Sequence, residues 1–430
     1  IKSFRVISSA SAMRLKDAGD ALQDIARELG VDFIIDGSVR REGDELRATL
    51  QLSQLDSSDA QWSERYKGNL LDLFSMHDEI ARSVAHELAQ HVPTTERGNK
   101  DNFEDARAVE SYFRARYQLW RFSLAGLQQA ERHLKNGLDY VGTNIRLLAT
   151  LGHVYARYNE IGLDPNGEFL GKAAECAQKI FELDANAPRG NALIGIVRFQ
   201  SGALRSAREP LERSLGANLR DPDTLCMLGY LYALIGRNEQ ALQLFAEALA
   251  IDPLTPITRC MPGFVALMEG RNSDALPYYR RFFRMDPYNA FAAWSLGHVL
   301  LRNGRVDEAS EIYGELKVNQ PDSIMAQLAD ATFNGVCGKL GATRNAITNE
   351  LRSVAKNSEL LSREITHCLA LAGEVDEALD WLENTVRIGN INYPFWAQHN
   401  VWVDSIRGTN RFDAIMRDVE REWLSATNIS

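Results

Sequence analysis

Small residues recur at a spacing of 34 positions through the middle of this 430-residue chain. One ladder of glycines is Gly195, Gly229, Gly263 and Gly297. A second is Gly202, Gly236, Gly270 and Gly304, and an alanine ladder is Ala173, Ala207, Ala241, Ala275 and Ala309. A fixed period of this length indicates one supersecondary unit repeated along the chain, whose neighbours bury a shared core. This period constrains the fold more than any other feature, and it favours a binding scaffold over a catalyst.

Each position of the period has a physical reason if the unit is a pair of antiparallel helices, A and B. The first glycine and the alanine allow the backbones of A and B to cross closely. The second glycine, for example Gly236, ends helix A in a left-handed conformation that glycine adopts without strain. Pro253, Pro287 and Pro321 close successive units, because proline can begin a helix but cannot continue one.

The clearest unit resembles the tetratricopeptide repeat. Its signature residues are Leu228, Gly229, Tyr232, Gly236, Ala241, Phe245 and Pro253, with Leu225 in place of the family's tryptophan. An insertion at 159–167 separates helices A and B of an earlier unit, and Ala346 and Ala378 mark two degenerate units near the end. The spacing therefore predicts a mainly α fold. This is a tetratricopeptide-repeat α-solenoid of about eight helix pairs over 103–388, with turns at the second glycine ladder.

Composition narrows the classes of partner. At 430 residues and 45% hydrophobic content, the chain can hold two or more cores. A net charge of −10 argues against nucleic-acid binding by this segment. No apolar run approaches the ~18 residues of a membrane span, so we expect no direct membrane insertion.

The five cysteines contain no C-x-x-C pair and are expected as buried thiols, which favours a reducing, cytoplasmic compartment. Because the chain opens with Ile1, we expect a piece of a longer protein. A periplasmic location stays open if that protein has a membrane span upstream.

Residues 1–92 do not follow the period. Alternating apolar residues and turn-forming pairs predict strands there, and helical spacing flanks them. The predicted strands are 5–8, 31–40, 46–55 and 61–66, and the predicted helices are 20–29 and 70–88. The predicted domains are a small α/β domain at 1–92, a polar linker at 93–102, the helix pairs at 103–388 and a closing segment at 389–430.

Residues 25–32, 37–40 and 62–66, which read IARELGVD, GSVR and WSERY, resemble the TolB-like (FlgO-related) domain. The closing sequence WVDSIRGTNRF at 402–412 resembles the end of bacterial signalling proteins that carry this domain before tetratricopeptide repeats. The resemblance implies an incomplete TolB-like domain that lacks its first strand and helix. It also implies an output domain upstream: most often a class III adenylate/guanylate cyclase, otherwise a winged-helix DNA-binding domain or a protein kinase.

No catalytic residue, cofactor or metal site is expected in this chain. Residues 171–173 lack the hydroxyl side chain of a phosphate-binding loop. A calcium-loop spacing begins at Asp164, but Phe169 stands where that loop needs glycine for its sharp turn. His86 and His91 are five residues apart and do not share one helix face.

Four positions of helix A face the concave groove of such a repeat. Counting back from the alanine ladder, the predicted binding residues are Arg189, Ile196, Phe199, Tyr230, Phe264, Leu267, Phe291, Trp294 and His298. This lining is more apolar than a solvated face requires, and aromatic side chains are favoured anchors at interfaces. It predicts a protein or peptide partner in the groove. The alternative is packing against neighbouring units or against the chain's own C-terminal tail.

We therefore expect a non-catalytic regulatory and protein-interaction module of a bacterial signalling protein. It would bind a partner or ligand and couple it to its own upstream output domain, first of all an adenylate cyclase. Two alternatives remain: a stand-alone tetratricopeptide scaffold for complex assembly, and the regulatory part of a winged-helix transcriptional regulator. A homodimer also stays open.

Overall fold

A computed structural model describes residues 31, 33–54, 60–69, 76, 79, 80, 83, 105–119, 124–160, 167–216, 221–251, 256–285 and 287–427. The chain divides into two compact units. Unit 1 is Ile1–Val154 with Ala250–Leu254, and unit 2 is Tyr155–Leu249 with Thr255–Ser430. The predicted elements at 5–8 and 20–29, the linker at 93–102 and most of the helix at 70–88 lie outside the described residues.

Unit 1 contains an antiparallel sheet with the strand order β1-β2-β3. The strands are β1 (Phe33–Glu42), β2 (Glu45–Gln54) and β3 (Ala60–Asn69), and they confirm the three predicted strands of this region. Alternation along β2 buries Leu46, Ala48 and Leu52 on one face, and the first two pack with Tyr66 and Met76. Gly43 forms the β1–β2 turn with a φ of 62°.

Helices follow one another as eight pairs over the described part of 106–388, which confirms the predicted mainly α fold. The pairs in chain order begin with α1 (Ala106–Leu119) and α2 (Leu124–Val141), α3 (Ile145–Glu160) and α4 (Glu168–Leu183), α5 (Pro188–Gln200) and α6 (Leu204–Gly216), and α7 (Pro222–Leu234) and α8 (Asn238–Ile251). They continue with α9 (Pro256–Met268) and α10 (Asn272–Met285), α11 (Ala290–Arg302) and α12 (Val306–Asn319), α13 (Ile324–Val336) with α14 (Leu340–Ala346) and α15 (Asn349–Ala355), and α16 (Glu359–Ala372) and α17 (Val375–Ile388).

A π-helical turn (Phe395–His399), a 3-10 turn (Val401–Val403) and a last helix, α18 (Asn410–Thr427), follow the eighth pair. Residues 161–166 of the predicted insertion, between α3 and α4, lie outside the described residues.

The turns between helices A and B confirm the role predicted for the second glycine ladder. Gly202, Gly236, Gly270 and Gly304 have φ values of 77°, 77°, 73° and 71°. Beyond Gly236, the Arg237 amide donates to the Tyr232 carbonyl over 2.8 Å, which closes the end of helix A.

The alanine ladder is fully buried, which confirms the close crossing of helices A and B. Its next member is Thr343, fully buried 34 residues after Ala309, so the assignment of Ala346 to this position was wrong. The reason is a break in helix B of the seventh pair. There α14 ends at Ala346, and the Thr348 side chain accepts from the Leu351 amide to begin α15.

All five cysteines are free thiols. Cys176, Cys260 and Cys368 are buried as expected, Cys226 is half-buried, and Cys337 is exposed, so the prediction of buried thiols was wrong for Cys337. Burial raises the pKa of Cys176 to about 11, which keeps this thiol protonated at neutral pH.

Candidate interaction surface

One repeat position of helix A forms a continuous line in unit 2. Tyr230, Phe264, His298 and Thr332 are spaced by 34 residues and lie on α7, α9, α11 and α13; we call them the helix-A stripe. The Tyr230 and Phe264 ring centroids are 4.8 Å apart, and Phe199 reaches the Tyr230 ring at 5.6 Å. The shared repeat position therefore places aromatic side chains of successive units in contact.

A single helix, α16, contacts every member of the stripe. The Tyr230 hydroxyl donates to Glu359 Oε2 over 2.7 Å, and the Arg363 guanidinium lies 5.6 Å from the Phe264 ring centroid. His298 Nδ1 is 3.1 Å from Glu364 Oε2, and Cys368 Sγ is 3.6 Å from Thr332 Oγ1. The order along α16 matches the order of the repeats, so the chain's own eighth unit occupies the line of residues predicted for a partner.

The charges on α16 form a compact buried cluster. Arg363 Nε donates to Glu359 Oε1 over 2.9 Å, and its Nη1 donates to Glu364. All three side chains are at most 5% exposed. Burial alone would lower the pKa of Arg363, but Glu359 and Glu364 outweigh it and raise that pKa. Such a cluster tolerates burial because each charge has partners of opposite sign.

Two neutral histidines complete the surroundings of Glu364. Arg302 Nε donates to His298 Nε2 over 2.8 Å, and Asn400 Nδ2 lies 2.8 Å from His367 Nε2. Both Nε2 atoms therefore act as acceptors, which leaves the proton of each ring on Nδ1, the atom nearest Glu364. Burial lowers the pKa of His298, and it lowers that of His367 to about 3.

Residues 389–403, which we call the return segment, contact α16 and α7 through three buried asparagines. Asn390 Nδ2 donates to Glu359 Oε1 over 2.7 Å, while Asn390 Oδ1 accepts from the Trp396 indole over 3.1 Å. Asn392 Nδ2 donates to the Ala233 carbonyl over 2.8 Å. That carbonyl belongs to the last turn of α7, where helical carbonyls need partners from outside the helix.

Aromatic side chains anchor the same segment. Phe395 and Trp396 are fully buried. The Trp402 ring lies 4.0 Å from the Arg302 guanidinium and 4.7 Å from the His298 ring. Full burial of a large apolar side chain contributes roughly 1.5–3 kcal/mol. The return segment is thus part of the core of unit 2.

Three glycines of the second ladder also lie close to residues in the C-terminal part of unit 2. A Cβ atom on Gly202 would lie 2.9 Å from the Asn357 carbonyl oxygen, and one on Gly236 would lie 2.6 Å from Trp423 Nε1. A Cβ on Gly270 would lie 3.2 Å from His399 Cβ, while Gly304 has open space. At the first three turns glycine therefore serves a second purpose, close packing against the C-terminal part of unit 2.

The remaining predicted binding residues are placed as follows. Trp294 does not join the Tyr230–Phe264 contact; its ring lies 5.7 Å from Phe291 and 5.3 Å from His298. Ile196 and Leu267 are buried, and Arg189 is half-buried. That the predicted residues bind a separate partner stays a prediction, whereas Tyr230, Phe264 and His298 contact α16, part of the chain itself.

The sequence analysis missed the residues on the opposite side of these contacts. They are Glu359, Arg363, Glu364, His367, Asn390, Asn392 and Asn400. A usable signal was the set of four ionisable residues within 359–367, in a helix that ends at Gly373, one residue past the next step of the glycine ladder after Gly338. Charges on such a helix would ordinarily be placed on a solvated face.

Two kinds of feature are absent from the described residues. No group of three or more His, Cys, Asp or Glu side chains is placed to hold a metal ion in the part of the chain that the structure describes. Over the same residues, no helix combines the length and the apolar character needed to cross a membrane.

Comparison with known proteins identifies the repeats. Family models of the tetratricopeptide repeat match residues 193–256 and 266–330, so unit 2 contains tetratricopeptide repeats, a protein-interaction fold. Among solved structures, a tetratricopeptide repeat protein from Parabacteroides merdae ATCC 43184 is 13% identical with a TM-score of 0.42, and covers 62% of this chain and 100% of its own. YrrB, described as a TPR protein with an unusual peptide-binding site, is 20% identical with a TM-score of 0.31. The match covers 45% of this chain and 95% of YrrB.

Two curated relatives have different names. "Putative adenylate cyclase 3" of Rhizobium meliloti (strain 1021) is 25% identical over 204 residues, which are 46% of this chain and 34% of the relative. "Transcriptional regulator HilA" of Salmonella paratyphi A (strain ATCC 9150 / SARB42) is 24% identical over 182 residues, 40% of this chain and 32% of the relative. The chain thus spans about a third of the length of each relative that it matches.

Proposed function

We propose that this chain is the regulatory and protein-interaction module of a bacterial signalling protein, coupled to an output domain that precedes it. The observation that carries the proposal is the pair of relatives named for different outputs, a cyclase and a transcriptional regulator. About a third of each is similar to this chain, as expected for a module that accompanies more than one output domain. A class III adenylate cyclase is the output that we favour, with a TolB-like domain formed by the N-terminal sheet region.

The contacts of unit 2 suggest how such a module would transmit a signal. The helix-A stripe holds α16 and the return segment, so a protein or peptide partner at the stripe would have to replace them. Phe395 and Trp396 alone contribute roughly 3–6 kcal/mol by burial, which sets a high cost for replacement. Binding at the stripe would therefore change the conformation of the whole unit, which is what coupling to an output domain requires.

The test uses the intact natural polypeptide that contains this chain. If it carries a nucleotide cyclase domain, its cyclic AMP production is measured for the parent and for Glu359→Gln, which weakens the contacts of α16 with Tyr230 and Asn390. The matched control is Arg421→Ala, whose exposed pair with Asp418 lies within α18. We expect at least a threefold change with Glu359→Gln and none with the control. Equal activities in all three proteins would contradict coupling, and a polypeptide without a cyclase domain would contradict this choice of output.

The relation to HilA supports a second candidate, the regulatory part of a winged-helix transcriptional regulator. It makes a distinct prediction for the same polypeptide, because a DNA-binding domain in place of a cyclase would give sequence-specific DNA binding. That binding would weaken with rising salt as phosphate contacts are lost.

A further inference from the structure

Two arginines of earlier repeats in unit 2 contact helix α18. Arg205 Nη2 contacts Glu422 Oε2 at 2.5 Å, and Arg205 Nη1 donates to the Arg387 carbonyl at the end of α17 over 2.7 Å. Arg237 Nη2 donates to the Ala426 carbonyl in the last turn of α18. Both guanidinium groups therefore satisfy helix C-terminal carbonyls, a position that favours cations.

The ion pairs of α18 are exposed, in contrast to those of α16, whereas the Arg237–Ala426 hydrogen bond is part-buried. The Arg205 and Glu422 side chains are 46% and 47% exposed, and those of the Arg411–Glu383 pair are 38% and 49% exposed. Exposed pairs of this kind are weak and are screened by salt. The charges of α16 that face the stripe are at most 5% exposed.

Helix α18 buries four of its 18 side chains, Phe412, Ile415, Met416 and Val419, whereas α16 buries 11 of 14. Trp423 remains partly exposed above Gly236, with its ring 5.9 Å from that of Tyr393. An element with few buried side chains and many exposed polar contacts opens at lower free energy than the core of its domain.

We propose that α18 is a strap: the entire helix detaches from unit 2 while α16 and the return segment stay in place. The surface that this uncovers, at Arg205, Gly236 and Arg237, then binds a partner helix of matching chemistry. The partner is an amphipathic helix that ends at this surface. Its C-terminal carbonyls face Arg237, and a Glu or Asp about one turn earlier faces Arg205. Helix α18 itself has this arrangement in Glu422 and Ala426, and it competes with the partner.

The first test is amide hydrogen exchange of the full chain, read by peptide mass spectrometry. We expect residues 410–427 to exchange faster than 359–372, and faster still in 0.5 M salt. Arg205→Ala removes the ion pair with Glu422, so opening of α18 should increase about fivefold, the upper end of the range for an exposed pair. Arg421→Ala on the same helix has an exposed local pair and should stay within about twofold. Equal exchange of α18 and α16 in every variant would overturn the proposal.

The second test asks whether the uncovered surface binds a helix in trans. The probe is a fluorescent synthetic peptide with the sequence of residues 410–427, titrated into full-length variants. Trp423→Ala loosens the strap and leaves both arginines intact, so it should bind the peptide at least fivefold more tightly than the parent chain. A peptide that carries Glu422→Ala should lose most of that gain on the Trp423→Ala chain, because it lacks the carboxylate that faces Arg205 while the open fraction of the chain is unchanged. Equal affinities of the parent and Trp423→Ala chains for the natural peptide, or of both peptides for Trp423→Ala, would contradict a helix site at this surface.

Discussion

A comparison of Gly202 with Gly304 separates two contributions to stability. One is the close packing of a repeat turn against the C-terminal part of unit 2, and the other is the left-handed conformation of the turn. Both glycines end a helix A, and their φ values are 77° and 71°. A Cβ atom on Gly202 would lie 2.9 Å from the Asn357 carbonyl oxygen, whereas Gly304 has no atom within 4 Å of that position. Replacement by alanine therefore strains both turns equally but crowds only one of them.

The expected magnitudes follow from these distances. Alanine in the left-handed region costs about 1–2 kcal/mol, so Gly304→Ala should destabilise unit 2 by about that amount. Gly202→Ala adds an overpacking cost of about 1–3 kcal/mol, because the atom that must move is backbone. The effect of alanine on the unfolded chain is the same at both sites and cancels in the comparison.

The assay is urea unfolding followed by tryptophan fluorescence. Five of the seven tryptophans lie in unit 2, so the signal reports mainly on that unit. We expect Gly202→Ala to lower the free energy of unfolding by about 1–3 kcal/mol more than Gly304→Ala. Equal losses, within about 0.5 kcal/mol, would show that the turn at Gly202 does not pack closely against Asn357 and would refute the reasoning.

Three further predictions concern Trp294, the pH dependence of stability and catalysis. Trp294 is 3% exposed, so Trp294→Ala should lower the free energy of unfolding by about 3–5 kcal/mol. Its indole N–H has no hydrogen-bond partner among the described residues, so Trp294→Phe should lower it much less. An unchanged thermal midpoint for Trp294→Ala would instead favour a partner anchor. Burial lowers the pKa of His367 to about 3, so the unfolded chain takes up this proton below about pH 6.5 and the folded chain does not. Stability should therefore fall by about 2 kcal/mol between pH 7 and pH 5 from this group, and His367→Gln should flatten a urea-unfolding pH series; parallel series for parent and variant would contradict this. Purified 1–430 should not convert ATP to cyclic AMP with magnesium, and activity above background would contradict this.

The local parts of the fold were predictable because they depend on short-range chemistry. Glycine at a left-handed position and alanine at a helix crossing recur with the period, so the helix pairs and their turns follow from spacing alone. The break after Ala346 was not predictable from the ladder, because a capping threonine three residues before Leu351 ended one helix and began another.

The residues that pack against the helix-A stripe were not predictable from the spacing. Tyr230 and Glu359 are separated by 129 positions, and no local pattern relates them. The sequence showed an apolar groove and two ways to fill it, by a partner or by the C-terminal tail. Only the buried ion pairs of α16 and the asparagines of the return segment show which residues lie against the groove.

The contact between Tyr230 and Glu359 tests most directly that the repeats hold their own eighth unit. A double-mutant cycle combines Tyr230→Phe with Glu359→Gln and measures unfolding of the full chain. The glutamine of Glu359→Gln would still accept a neutral hydrogen bond of about 0.5–1.5 kcal/mol in place of a charged one of about 1.5–3 kcal/mol, so the cycle predicts a coupling of about 1 kcal/mol. Tyr232→Phe is the matched control, because the Tyr232 hydroxyl donates to Glu212 instead, and its coupling to Glu359→Gln should lie within about 0.5 kcal/mol of zero. A Tyr230–Glu359 coupling as small as the control would contradict the account.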